Sequence, residues 1–511
     1  MDFVAICIAI LLWLVRPQDW LSGLAGVGFM RYAMLIALYG MYTRPGGLRP
    51  KLFFQSPADV LICAYLIWII WTTGEWYDTA KEILPFAAFY YTAALALNTP
   101  KRLATFLSCW IAGLSVVILF GLSTEFGMEL APGSADLRSY FEGRLALNTW
   151  IFNNPNSLGH GVVTVIPLAY VWFWWRKPIL MKILGCVVAL AAGYCVYLTE
   201  SKGAYLCGAA ALGIAILFRK RLIFQVIVVL LALTMGITAL KTLPRMENLS
   251  AQEDGIAGRL VIWQMAHNAM VNTDTGEGWK KFEAWITIPK IGTIHKATHG
   301  SYVNVGADLG YPGLFLFLAI LYANARTVLQ ARPPPEDETS DRCQRALLVL
   351  VSGYAASAWI IDRAYHTDFF LIAGAISAFH RQMTRQTRVE ATSDETEPDE
   401  RESAPEPVHE PSRFPLPELF PVPKPGLLFA SGSHSVAVAA RHPGETVLVL
   451  ERQRAENTAA AMSMSKAEPG TQKKLPLTWR RLGILDLILI YVVFQAVLYI
   501  WVEIMTNFIS F

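Results

Sequence analysis

The sequence predicts an all-α fold: a polytopic membrane helical bundle of about 12 core transmembrane helices plus one C-terminal helix. Three observations predict it. Of 511 residues, 54% are hydrophobic and only 16% are charged, against about a quarter charged in soluble domains. Apolar runs long enough to cross about 30 Å of hydrocarbon recur along the chain. Sixteen Trp and nineteen Tyr suit the aromatic belts at membrane interfaces. The net charge of +3 comes with no dense basic run, so nucleic acid is excluded as a partner. The seven cysteines lie in apolar runs or, for Cys343, beside a basic loop, and none forms a CxxC pair. Disulfides and a Cys-based metal site are therefore not expected.

The runs fall at 2–16, 24–42, 57–73, 83–98, 103–122, 157–175, 180–198, 203–218, 222–241, 301–325, 345–361, 367–381 and 483–506. The first, "MDFVAICIAILLWLV", has no basic leader and no small-residue cleavage site, and is read as a retained span. Loop charge orients the rest. Even-numbered spans precede basic loops, with Arg44, Arg49 and Lys51, then Lys101 and Arg102, then Arg176, Lys177 and Lys182, then Arg219, Lys220 and Arg221. Odd-numbered spans precede acidic or mixed ones, with Glu75, Asp78 and Glu82, then Glu125, Glu129 and Asp136, then Glu200. The start of the chain is then cytoplasmic, and the long loops 123–156 and 242–300 face outward, toward the periplasm in a bacterial inner membrane.

Three regions follow: a membrane domain at 1–382 with its outward loop 242–300, an acidic and Pro-rich linker at 383–480, and a last helix at 481–511. "VEATSDETEPDERESAPEPVHEPSRFPLPELFPVPKPG" holds too few apolar side chains to offset chain entropy, so the linker is expected to be disordered and cytoplasmic.

The chemistry-bearing residues collect on the outward side. "GIAGRLVIWQMAHNAM" (255–270) is helical in period, with Leu260, Trp263 and Met270 on one face. It reads either as an interfacial helix with a snorkelling Arg259 or as the carrier of Arg259, a permanent cation able to clamp an anion. In "TDTGEGWKKFEAW" (273–285), Trp279 offers a flat face to sugar or lipid, although interface belts explain Trp equally well. "HKATH" (295–299) spaces two His by four but lacks the Glu of the metalloprotease motif and a third ligand of recognisable spacing. No metal and no cofactor are expected. His299 instead reads as a helix-start residue, where the positive end of the dipole favours a neutral, proton-accepting imidazole.

Beyond it, Gly306, Gly310 and Gly313 are expected on one face, where another helix approaches closely. Asp308, inside an apolar run, needs a cavity or a partner; it is a candidate ligand for substrate or a pin to a neighbouring helix. "FNNPNSLGH" (152–160) brings Asn154 and Asn156 to an outward helix start. "TESKGAY" (199–205) brings Lys202 to an outward turn, as a snorkelling anchor or a second cation. Two cations and one neutral base suit a pyrophosphate-bearing substrate, the cations stabilising charge on the leaving phosphate and the base taking a proton from an attacking hydroxyl.

"FNNPN", "TESKGAYL", "GRLVIWQMA", "TDTGEGWKKF" and "HGSYVNVGADLGYPG", in this order and topology, resemble the successive motifs of the O-antigen ligase and Wzy-type polymerase superfamily of bacterial inner-membrane glycosyltransferases. The resemblance spans about residues 100–380 and is most specific from His299 to the Gly310 and Gly313 pair. "WLVRPQDW" (13–20) further resembles the O-glycosylation ligases found with exosortase systems. The resemblance implies that Arg259 and His299 are the catalytic residues and sets Lys202 at the family's second arginine; Asn154, Asn156, Trp279 and Asp308 are the further residues expected to bind substrate. It implies an undecaprenyl-pyrophosphate-linked glycan donor, a lipid, glycan or protein acceptor, metal-independent transfer, and surrounding membrane lipids. Two positions depart from it. Lys202 stands where the family has arginine, which keeps charge but not bidentate phosphate binding, and Gly300 stands where ligases carry a small polar residue. Polymerisation of lipid-linked repeat units is the alternative within this class. A transporter or flippase of lipid-linked saccharides is the alternative outside it, disfavoured because the charges cluster outside the spans.

Overall fold

The computed structural model describes residues 1–44, 53–230, 254–288, 292–295, 297–396 and 481–509. These residues are almost wholly helical. Helices α1 (Asp2–Val15), α2 (Phe29–Thr43), α3 (Pro57–Thr73), α4 (Trp76–Ala96) and α5 (Pro100–Glu125) match the first five expected spans. They are followed by α6 (Pro155–Trp174), α7 (Ile179–Thr199), α8 (Lys202–Leu217), α9 (Asp254–Thr273), α10 (Ser301–Gln330), α11 (Glu338–Ser357), α12 (Thr367–Thr396) and α13 (Ile484–Ile509).

Six described helices are long and apolar enough to cross a membrane, and α3 and α8 are shorter apolar helices. The chain is therefore a polytopic helical membrane protein. The expected ninth span, 222–241, is helical over 222–230 and otherwise lies outside the described residues, as does the linker from 397 to 480. Helix α12 runs on to Thr396, past the linker boundary expected at 383. By compactness the chain divides into Met1–Arg388 with Leu477–Phe511, and Val389–Pro476; all contacts below lie within the first unit.

Helix α6 is interrupted at Val163 and Thr164 and closes in a π-turn at Tyr170–Trp174. Pro167 explains the break, since it cannot donate to the carbonyl four residues back. At one end of the bundle, Asp59 at the start of α3 is fully buried. It accepts two bonds from Arg381 Nη2 of α12, at 2.8 and 2.9 Å, and one from Tyr90 O–H of α4 at 2.7 Å. Removing one partner of such a buried pair costs about 3–5 kcal/mol.

Helix α10 differs from expectation. Gly310 has φ 65° and ψ −166°, and the helix bends there. Pro312 lacks the N–H that Asp308 O would accept, and the freed carbonyls find other donors. Ala307 O accepts from Glu277 N at 3.0 Å, Asp308 O from Gly278 N at 2.8 Å, and Leu309 O from the Trp68 indole at 2.9 Å. The expected single face of glycines is thus corrected. A Cβ on Gly310 would run into the backbone of Asp274, and one on Gly313 into Leu309 of the same helix. Only Gly306 receives another helix, with Trp501 of α13 at 2.9 Å and Met270 of α9 at 3.1 Å from its Cβ position.

Candidate active site

Helix α9 and the first part of α10 run side by side in the same direction, joined at both ends. At one end the Trp263 indole donates to Thr298 O at 2.9 Å. At the other, Tyr311 N donates to Asp274 O at 3.1 Å. The apolar face read from the sequence (Leu260, Trp263, Met270) is buried, against α10 and α13. Arg259 lies one turn before Trp263, at the His299 end. It opens onto a groove of about 340 Å³ whose other walls are Leu260, Trp263, Trp359, Ile360, Ile500 and Ile504.

His299 is half-buried and has φ 50°, a left-handed conformation that a non-glycine residue holds only when its surroundings impose it. Asp362 imposes it. Its carboxylate accepts from Thr298 O–H at 2.8 Å, His299 N at 2.9 Å and Gly300 N at 2.8 Å. Two bonds through Ser301 fasten the same loop: Ser301 O–H donates to Ile361 O at 2.7 Å, and Arg363 N donates to Ser301 Oγ at 2.9 Å. The turn before α10 is therefore held by the segment between α11 and α12.

A second group of residues meets this turn from α6 to α8. Asn154 caps α6 by accepting from Asn156 N at 2.8 Å, and Asn156 Oδ1 accepts from Arg144 at 3.1 Å. Arg144 also donates to Thr199 O at 3.0 Å, binding the α6 start to the turn that carries Lys202. That turn is close-packed: a Cβ on Gly203 would lie 2.7 Å from Ile360 Cδ1 and 2.8 Å from His160 Nε2. Ile360 thus borders both Gly203, next to Lys202, and the Arg259 groove. His160 is buried, bonds Ser357 Oγ at 2.9 Å through Nδ1, and lies within electrostatic reach of Arg259 and Arg363. Arg363 donates to Ser157 O at 2.8 Å and pairs with Asp368 at 3.4 Å. A cavity of about 50 Å³ beside His160, Ser301, Ser357 and Arg363 has room for about one water.

Trp279 and Asp308 sit elsewhere. Trp279 is 5% exposed, edge-on to Tyr365 at 5.9 Å, with Lys280 Nζ 4.2 Å from its ring centre. Lys280 Nζ covers one face of the ring. Asp308 is 1% exposed and accepts from Phe282 N at 3.2 Å and Asn304 Nδ2 at 3.1 Å. Through Phe282 it ties the 274–284 segment to α10. Lys281 carries that segment to the end of α3, donating to Thr73 O at 2.9 Å.

Sequence reasoning missed Arg144, His160, Asp362 and Arg363. "IIDRAYH" (360–366) carried a signal, since an Asp-Arg pair between the eleventh and twelfth spans falls on the outward side by the same alternation. The motif "WLVRPQDW" also reaches this region. Arg16 pairs with Asp19, Asp19 accepts from Trp150 N at 2.8 Å, and Trp150 stacks on His366 at 5.5 Å. Among the described residues, no group of three or more His, Cys, Asp or Glu is placed to hold a metal ion.

A helical bundle of membrane spans, with cations and histidines gathered at one end around a buttressed turn, defines a polytopic membrane protein with a polar terminal site. The O-antigen ligase family model, Wzy_C, matches residues 186–318, the stretch that holds Lys202, Arg259, His299 and the Gly310 bend. Over that stretch the chain is similar to the O-antigen ligase family. No curated protein matches it.

Proposed function

We propose that the protein transfers a glycan from an undecaprenyl-pyrophosphate donor to an acceptor hydroxyl at the periplasmic face of the inner membrane. The observation that carries this is the joining of α9 to the His299 turn through Trp263, which sets a permanent cation and an imidazole at one end of two parallel helices. The neighbouring Lys202 turn adds a second cation, and the groove beside Arg259 is lined by apolar side chains, suited to a lipid chain.

In the proposed reaction, His299 takes the proton of the acceptor hydroxyl. The oxygen forms a bond to the anomeric carbon while the carbon–phosphate oxygen bond breaks. Undecaprenyl pyrophosphate leaves with that electron pair, and its added charge is met by Arg259 and Lys202. Direct attack inverts the anomeric centre. The test is transfer from purified lipid-linked donor by the reconstituted protein. His299→Ala and Arg259→Ala are each expected to abolish it at normal protein abundance; wild-type rates in both would refute the proposal. The acceptor decides between ligase and polymerase. Loss of long chains with one unit retained marks a polymerase, and accumulation of lipid-linked polymer marks a ligase.

A further inference from the structure

At the end of α3 opposite the Trp279 segment lies a cavity of about 640 Å³, bordered by Ser56, Pro57, Val60, Arg381, Arg385 and Arg481. Three elements meet there: the start of α3, the second half of α12, and the residues leading into α13. The wall is mixed in character. Phe54 and Val60, which also border it, are 63% and 57% exposed, so the cavity opens sideways along apolar surface. Arg381 is 5% exposed and bound to Asp59 through Nη2, while its Nε has no hydrogen-bond partner among the described residues. Arg385 and Arg481 have no acidic partner among the described residues.

We propose that this cavity is a binding site for the head group of an anionic phospholipid, which bolts the C-terminal helix to the bundle. A guanidinium fork matches a phosphodiester, and basic pockets between membrane helices hold anionic head groups. Two guanidiniums with no acidic partner among the described residues supply the charge, and the apolar flank at Phe54 and Val60 receives the start of an acyl chain. A free phosphate would use the arginines and leave that flank empty. The bridge spans Arg385 on α12 and Arg481 before α13, so an occupied site joins two elements far apart in the chain.

The test uses the purified full-length protein in phosphatidylcholine nanodiscs, titrated with phosphatidylglycerol and followed by thermal melting and native mass spectrometry. The wild type is expected to show a saturable rise in midpoint and one retained phosphatidylglycerol. Arg385→Gln with Arg481→Gln, and separately Val60→Trp, which fills the cavity, are each expected to weaken that binding at least tenfold. Lys220→Gln with Arg221→Gln, exposed basic residues away from the cavity, should leave it unchanged. The proposal is overturned if the arginine pair keeps the wild-type response, if the control pair loses as much, or if inorganic phosphate alone reproduces the shift.

Discussion

Asp362 makes the sharpest prediction because its role is separable from substrate contact. Its carboxylate accepts three bonds, two of them from the backbone of His299 and Gly300. A hydrogen bond to a charged group contributes about 1.5–3 kcal/mol. Asp362 is half-buried, so the lower bound applies. The two backbone bonds then hold the left-handed turn by about 3 kcal/mol, or about a hundredfold in the population of the working conformation. Asp362→Ala is expected to lower kcat for glycan transfer about a hundredfold, with KM for the donor within threefold, since Arg259 is tied to α9 independently. Asp362→Asn keeps an acceptor oxygen and loses the charge, so about tenfold is expected. The assay is transfer by purified protein, normalised to folded protein by size-exclusion chromatography. An Asp362→Ala enzyme within twofold of wild type would refute the reasoning that this carboxylate holds the His299 turn.

Four further outcomes follow from the geometry. Lys202→Arg should keep transfer and Lys202→Gln should lose at least tenfold in kcat, if position 202 acts by charge alone; equal activity of the two would exclude that role. Gly310→Ala places a Cβ against the Asp274 backbone at a positive φ, and the folded yield should fall by an amount equivalent to about 3 kcal/mol or more. Trp501→Ala removes a fully buried ring beside Gly306 and His267; a loss of about 3–5 kcal/mol is expected, read as a lowered melting midpoint. His366, outside the spans, has its pKa lowered chiefly by burial. The fold therefore favours its neutral form, stability is full above the unfolded value of about 6.5, and it falls as pH drops below that. His366→Asn should flatten the wild-type decline in melting midpoint between about pH 7 and pH 5.

The spans were legible because lipid demands long apolar helices and loop charge alternates with them. Their interruptions were less so. Gly310 and Pro312 stood in plain view, but glycine spacings of four and three suggested a packing face, whereas a left-handed glycine two residues before a proline makes a bend. Arg259 and His299 were legible as candidates, and the tie from α9 to the turn at Thr298 through Trp263 was not, because a tryptophan in a membrane protein has an interfacial explanation ready to hand. Asp362 and Arg363 act through backbone partners more than sixty residues or more than two hundred residues away, and a single sequence does not reveal such pairings. Asn154 and Asn156 were found as a helix start, yet their amides serve the cap and Arg144.

The hairpin Trp285–Ile288 and Gly292–His295 lies between two fastened points, Asp274 with Tyr311 and Thr298 with Trp263. A chain clamped on both sides of a loop tolerates added length within it. An epitope inserted between Ile288 and Gly292 should therefore leave transfer intact while giving a non-permeant label a handle. The same insertion would report which side of the membrane this end of the bundle faces, making the fastening a tool for reading sidedness in living cells.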